Sequence, residues 1–215
     1  MLLHENEVYR LGSRIMHYCI TVQLAEKLKI NSELLHLGGL APDAIGSDDQ
    51  SKDRSHFITP KENGKKRINL GLFLEKYGDR MHDPFYRGFF SHLVADYLWY
   101  DCIMVKYFKP LSMEDRRKAE KIGYLDFRIL NAKLIDHFNL TECKLTTIEQ
   151  SEMDIIDMHA LSGVIHQYEA DFIIDPIAES SPLRLYSFED ILSYLDCSVK
   201  ETVSRLEEIN RETKI

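Results

Sequence analysis

Cysteine is scarce in this chain: four residues in 215 (Cys19, Cys102, Cys143, Cys197), scattered and never in a C-x-x-C pair. That argues against a zinc knuckle and a disulfide framework, and fits reduced core thiols in a cytoplasmic protein. A basic excess is missing too. The formal net charge is −8, so no nucleic-acid-binding surface is expected, since such a footprint is basic. No run of 18 apolar residues occurs, which gives no membrane span. The first ten residues, MLLHENEVYR, are polar and acidic; they lack the basic and apolar regions of a signal peptide, consistent with a cytoplasmic location. Internal repeats, low-complexity tracts and a convincing strand series are also absent.

What remains is helical patterning nearly throughout, and the expected class is all-α. The length suits one domain, 1–215. Its core spans about 13–170, with C-terminal helices at about 187–211 packing on it. Apolar residues at helical spacing predict a helix over 13–29 with His17 facing inward. Asn31 or Ser32 caps a short second helix that Gly38-Gly39 ends. Residues 41–68 read as one long irregular stretch, of a length that is usually functional or disordered. Asn69 caps a helix to Tyr77, and Asp83-Pro84 opens another that runs to about Phe108. Ser112 to Asp115 resembles a capping box for a long helix ending near Phe138. A further helix is expected over about 148–172, a loop around Pro176 and Pro182, and two final helices beginning at Ser187 and Ser198. The apolar stripe of the last (Val199, Val203, Leu206, Ile209) suits packing on the body or a homodimer contact.

Four short pieces share one donor chemistry: His17, the Ala41-Pro42-Asp43 segment, Ser55-His56-Phe57, and the His92/Asp96 pair. His92 and Asp96 are four residues apart in an apolar helix, so both project from one face. A buried carboxylate without a positive partner is too costly to persist, and a metal ion is the best candidate. Three imidazoles and two carboxylates exceed one closed tetrahedral site and suit two ions linked by a carboxylate. Such a pair, about 3.5–4 Å apart, can clamp the attacking and leaving oxygens of a phosphoester. The expected cofactor is a divalent transition metal, one or two ions: zinc first, with iron or manganese as alternatives. The expected partner is a small phosphorylated substrate, whose charge the metal offsets.

In order and approximate spacing these pieces resemble the zinc-dependent phospholipase C family and its relatives among single-strand-specific nucleases. The resemblance covers 13–100: His17 before an apolar run, Gly39-Leu40-Ala41-Pro42-Asp43, Ser55-His56-Phe57, and Gly88-x-x-x-His92-x-x-x-Asp96. It implies that His56, His92, Asp96 and Asp43 hold one zinc and that His17 with Asp96 holds its neighbour. Asp43 is alternatively the general base that orients or deprotonates the attacking water. Family members carry a further His and a His-x-x-x-Glu pair completing a third site. This chain offers His159 and His166-x-x-Glu169, one residue short. Secreted members also use a mature N-terminal residue as a ligand, which requires a leader not seen here.

Other residues are placed at the pocket by proximity in sequence. His82 precedes the His92 helix, and with Asp83 it suggests an alternative HD-type phosphohydrolase, although Asp83 is accounted for as a cap. Lys65 and Lys66, with Lys61 and Arg67, make a basic cluster able to steer an anion. The expectation is thus a metal-dependent phosphoester hydrolase with Asp43 as base. The competing class is a non-catalytic helical module that binds metal and a phosphorylated ligand.

Overall fold

Ser13 starts the first helix and anchors it. Its hydroxyl oxygen accepts from the Met16 amide (3.3 Å) and donates to the Asn131 side chain 118 residues away (2.7 Å), so one residue caps this helix and ties it to the helix that carries Asn131. In the computed structural model, which describes residues 12–30, 33–45, 51–61, 64–147, 153 and 155–212, α1 spans Arg14–Leu28 and closes on Lys29 in the left-handed conformation (φ 54°). Residues 15–21 are all buried, so the first half of α1 is enclosed on every side.

The order that follows is α2 (Glu33–Leu40), a 3₁₀ turn (Ala41–Asp43), α3 (Ser51–Ser55), β1 (Ile58–Pro60), β2 (Lys66–Ile68) and α4 (Leu70–Tyr77). Then come a 3₁₀ turn (Gly78–Arg80), α5 (Pro84–Trp99), a π turn (Tyr100–Met104), α6 (Val105–Tyr107) and α7 (Met113–His137). The chain ends with α8 (Met158–Asp171), α9 (Pro176–Ser180) and α10 (Phe188–Glu212). The class is all-α. The sole sheet among the described residues is the β1–β2 antiparallel hairpin, with Ile58 opposite Ile68. No described helix is long and apolar enough to cross a membrane.

The centre of the fold is α5, packed against α1, α2, α4 and α10. Its crossing with α2 is a backbone-to-backbone contact. A Cβ on Gly88 would lie 2.1 Å from the Leu35 carbonyl oxygen, and one on Gly38 would lie 2.0 Å from the Phe85 carbonyl oxygen. Only hydrogen fits at these points. Gly38 and Gly39 therefore do not end α2 as expected from glycine's habit at helix termini. They lie inside it and let it meet α5, burying Leu35, Leu37 and Leu40.

The long stretch 41–68 is more ordered than expected, with a 3₁₀ turn, α3 and the hairpin in it; 46–50 and 62–63 lie outside the described residues. The helix expected over 148–172 begins at Met158, where Asp157 accepts from the His159 and Ala160 amides (2.9 and 3.2 Å). Residues 148–152 and 154 lie outside the described residues, as do the proposed caps Asn31 and Ser32. The Pro176 loop contains the short α9, capped by Asp175.

The two expected C-terminal helices are one. Ser198 was read as a cap because serine favours that position. Here Ser198 and Thr202 are fully buried, and their hydroxyls donate back to the carbonyls of Tyr194 (2.8 Å) and Ser198 (2.7 Å), satisfying both groups inside a continuous helix. Val199 and Leu206 are buried against the body, with Val203 and Ile209 packed at the margins. Of the cysteines, Cys19 is buried and Cys197 is exposed; all four are free.

Candidate metal centre

Five donors converge from four elements: His17 from the middle of α1, Asp43 from the 3₁₀ turn after α2, His56 from the end of α3, and His92 with Asp96 from α5. The three rings and Asp96 are at most 2 % exposed, while the Asp43 side chain keeps 34 % of its surface open. The glycine contact between α2 and α5 does more than pack helices. It brings the Gly39 carbonyl to 2.8 Å from His92 Nδ1. A carbonyl only accepts, so Nδ1 carries the hydrogen and Nε2 presents its lone pair to the site.

His56 is held in the same way by a different device. The Ser55 hydroxyl donates to the Lys52 carbonyl (3.3 Å) and faces His56 Nδ1 at 2.9 Å, so it receives the Nδ1 hydrogen and frees Nε2. The next residue, Phe57, has φ 52°, an uncommon conformation for a bulky side chain. That reversal leaves His56 inward while the Phe57 ring packs edge-on to Phe73 (5.3 Å). Nothing in the sequence marks it, because glycine or asparagine is the usual signal.

The two lone pairs point at one carboxylate oxygen. Asp96 Oδ2 is 3.2 Å from His92 Nε2 and 3.4 Å from His56 Nε2, and the two nitrogens are 3.3 Å apart. Asp43 Oδ1 stands 3.7 Å from His56 Nε2. On the other oxygen, Asp96 Oδ1, His17 Nε2 lies at 3.5 Å, its ring stacked on His92 with centroids 3.7 Å apart. Neither Asp96 oxygen has a hydrogen-bond partner among the described residues.

The electrostatics follow. Burial first, then the neighbouring charges of His92, His56 and Lys52, holds His17 well below the ordinary histidine value. Burial with the charges of His92 and Lys52 does the same for His56. Burial also opposes a charge on His92. There, however, Asp96 beside it, helped by Asp43 and the Gly39 carbonyl, outweighs that cost and raises it. Asp96 is raised by burial, against the pull of His92.

The geometry fits a metal. Two ligands each about 2.0–2.1 Å from a tetrahedral zinc stand roughly 3.3 Å apart, the spacing found around Asp96 Oδ2. The donors form two overlapping groups, Asp43/His56/His92 and His17/His92/Asp96. His92 has one lone pair to give and serves one ion. Asp96, with an oxygen turned to each side, is the residue able to link two.

The remaining pocket candidates lie elsewhere. His82, His159 and His166 are exposed and belong to neither group. His82 Nδ1 faces the Asp79 carbonyl (2.9 Å), and His166 Nδ1 faces the Ser162 carbonyl (2.7 Å). Asp83 caps α5 through the Phe85 amide (2.8 Å), as expected of a residue before Pro84. Lys65 and Lys66 are exposed on the hairpin, where Lys66 pairs with Asp53 (2.6 Å). Arg67 pairs with Asp101 (2.9 Å) and lies 4.1 Å over Tyr100. Two of the four basic residues are thus each paired with a carboxylate.

One neighbour escaped the sequence reading. Tyr194 of α10 is 1 % exposed, and its hydroxyl has no hydrogen-bond partner among the described residues. Nothing in the sequence around it singles it out from the apolar residues of α10.

Fold and site together define an all-α protein with a buried His/Asp cluster suited to a transition metal. No family model, curated protein or solved structure matches the chain, so the resemblance to zinc-dependent phospholipase C rests on the motif residues themselves.

Proposed function

We propose that the protein is a metal-dependent hydrolase that acts on a small phosphoester, with zinc as the ion its donors suit best. One observation carries this reading. The Nε2 atoms of His56 and His92 converge on a buried carboxylate oxygen, an arrangement that is repulsive unless a proton or a metal ion lies between them, and a metal ion can engage both nitrogens and the oxygen at once. His56, His92, Asp43 and Asp96 Oδ2 would hold the ion, and His17 with Asp96 Oδ1 would hold a neighbour. A bound ion supplies an electrophile for a phosphoryl oxygen and lowers the pKa of water.

The chain's own residues do the rest. Gly39 and Ser55 hold the two imidazoles in the ligating tautomer, so no reorganisation is needed on loading. The apolar faces of α1 and α5 exclude bulk water and strengthen every charge interaction inside. Asp43, the one donor with an exposed edge, stands where substrate and water enter; as the alternative to binding the ion, its carboxylate is the acceptor for the proton of the attacking water.

The burial of the other four donors also favours a competing reading, in which the ion only stabilises the fold. Elemental analysis of wild type, His92→Ala and Asp96→Asn, together with hydrolysis of generic phosphomonoesters and phosphodiesters, separates the two. One to two equivalents of metal and slow turnover in wild type, both lost in the variants, are expected. Metal without turnover of any phosphoester would favour the stabilising role, and a wild type that takes up no zinc, iron or manganese would sink the metal reading.

A further inference from the structure

With one ion bound, the donors of the centre leave little net charge. The carboxylates of Asp43 and Asp96 cancel one divalent ion, and an imidazole ligates in its neutral form. Such a centre polarises an anion on contact but has no net charge to draw one in. Capture of a phosphoester is helped by a further positive charge near the entrance.

Lys52 stands in that place. It belongs to α3, and its carbonyl accepts from the His56 amide (3.0 Å) and from the Ser55 hydroxyl (3.3 Å). The first of these bonds carries the helical turn on to His56, so the two side chains leave from one face, one turn apart. The same α3 packs against the 3₁₀ turn that carries Asp43, whose Oδ1 is 3.7 Å from the His56 ring. Lys52 is half-buried, as Asp43 is, beside a centre whose other four donors are closed off. Its charge reaches inward: it lowers His17 and His56 and opposes the rise of Asp96.

A cation here works against a site that only binds metal, because it repels the ion. It suits a site that must also hold an anion. From this placement we infer that Lys52 is a phosphate-binding residue, whose ammonium pairs with an oxygen of the phosphoryl group on the Asp43 side of the centre. An ammonium carries three N–H donors, so a further contact of Lys52 leaves it able to do so. The inference rests on the phosphoester reading. It adds a residue that lies outside both the ligand motifs and the basic cluster of 61–67.

Two variants test it. Lys52→Met removes the charge and keeps the apolar stem, whereas Lys52→Arg keeps the charge. Zinc binding, and then binding of inorganic phosphate to the zinc-loaded protein, would be measured by calorimetry at low ionic strength, where the contact is least screened. In Lys52→Met the two ligands should part: zinc held as tightly as in wild type or more tightly, phosphate held about tenfold more weakly. Lys52→Arg should recover most of the phosphate affinity. Zinc and phosphate weakened together in Lys52→Met would overturn the inference, because a lysine that merely props α3 would loosen His56 and cost both. Unchanged phosphate affinity in Lys52→Met would overturn it as well, and would leave Lys52 a counter-charge for the two carboxylates. A zinc-loaded wild type that binds no phosphate would sink the phosphoester reading and the role of Lys52 with it. A wild type that binds no zinc would sink the metal reading itself.

Discussion

Two carboxylates are buried among the described residues, and they live in opposite conditions. Asp126 on α7 is fully buried and accepts main-chain hydrogen bonds from Arg184 (3.1 Å), Leu185 (2.8 Å) and Tyr186 (3.2 Å). Its charge is answered by three N–H groups of the segment that leads into α10, so it is a complete structural device. Asp96 is as deeply buried, but among the described residues no main-chain N–H reaches it; imidazole nitrogens surround it, His92 Nε2 at 3.2 Å. The same residue type at the same depth is finished in one place and unfinished in the other. The unfinished one is where the proposed ion would bind.

Removing each carboxylate should therefore give opposite results, and this is the largest effect expected. Asp126→Ala strips the partner from three main-chain N–H groups and should cost about 3 kcal/mol or more in denaturant unfolding, with metal uptake per folded molecule unchanged. Asp96→Asn removes a buried charge on which no main-chain N–H among the described residues depends. Chelator-treated protein at pH 7.5 should then unfold within about 1 kcal/mol of wild type, or be more stable. Added zinc should raise the melting temperature of wild type and Asp126→Ala but not that of Asp96→Asn. If Asp96→Asn proved the more damaging change in metal-free protein, the comparison would be wrong and Asp96 would be structural.

The pH dependence of metal-free protein sharpens the contrast. In the folded chain His17 and His56 sit well below 6.5 through burial. Below pH 6.5 the unfolded chain takes up protons there that the folded chain refuses. Stability should then fall with falling pH, by up to about 1.4 kcal/mol per pH unit for each ring. His92, raised above 6.5, acts oppositely: its contribution is complete below 6.5 and is lost as pH rises through its raised value. Asp96, raised from 3.8 by burial, has the same sense as His92 and softens the acid limb. Chelator-treated wild type should be most stable near pH 6.5 in thermal melts. Asp96→Asn should lose the alkaline limb, because the elevation of His92 depends on that carboxylate. A flat profile would mean the rings are solvated and the site is open.

Asp96 was legible in the sequence because its signal is local. A His and an Asp four apart in an apolar run share a helix face whatever the rest of the fold does, and the caps at Ser13, Asn69, Asp83 and Ser112 are equally local. Asp126 was not legible, since its partners are main-chain groups some 58 to 60 residues away and leave no trace in side-chain pattern. Gly38, Gly39 and Ser198 misled for a related reason. Each was read by its average local preference, whereas a helix crossing uses the glycines and a buried helix interior uses the serine. Tyr194 was invisible because an inward aromatic on a helix looks like core until the fate of its hydroxyl is known.

The smallest effect tests why Asp96 is unfinished. The donors of Asp126 belong to the main chain and are permanent. The groups around Asp96 are side chains, two of them, His56 and His92, aimed at it by second contacts, and the Ser55 hydroxyl is the more easily removed of these. Ser55→Ala should leave the fold intact, since the loss is one hydroxyl contact. It should free the His56 ring to choose the other tautomer and weaken zinc binding about tenfold, near the low end for such orienting partners. Competition against a chromogenic chelator reads that directly. The corresponding contact of His92, to the Gly39 carbonyl (2.8 Å), cannot be removed by substitution, so His56 is the ring on which the idea can fail. Unchanged zinc affinity in Ser55→Ala would mean that the ion, and not the protein, orients the imidazole. Asp96 would then be surrounded by nitrogens through packing alone.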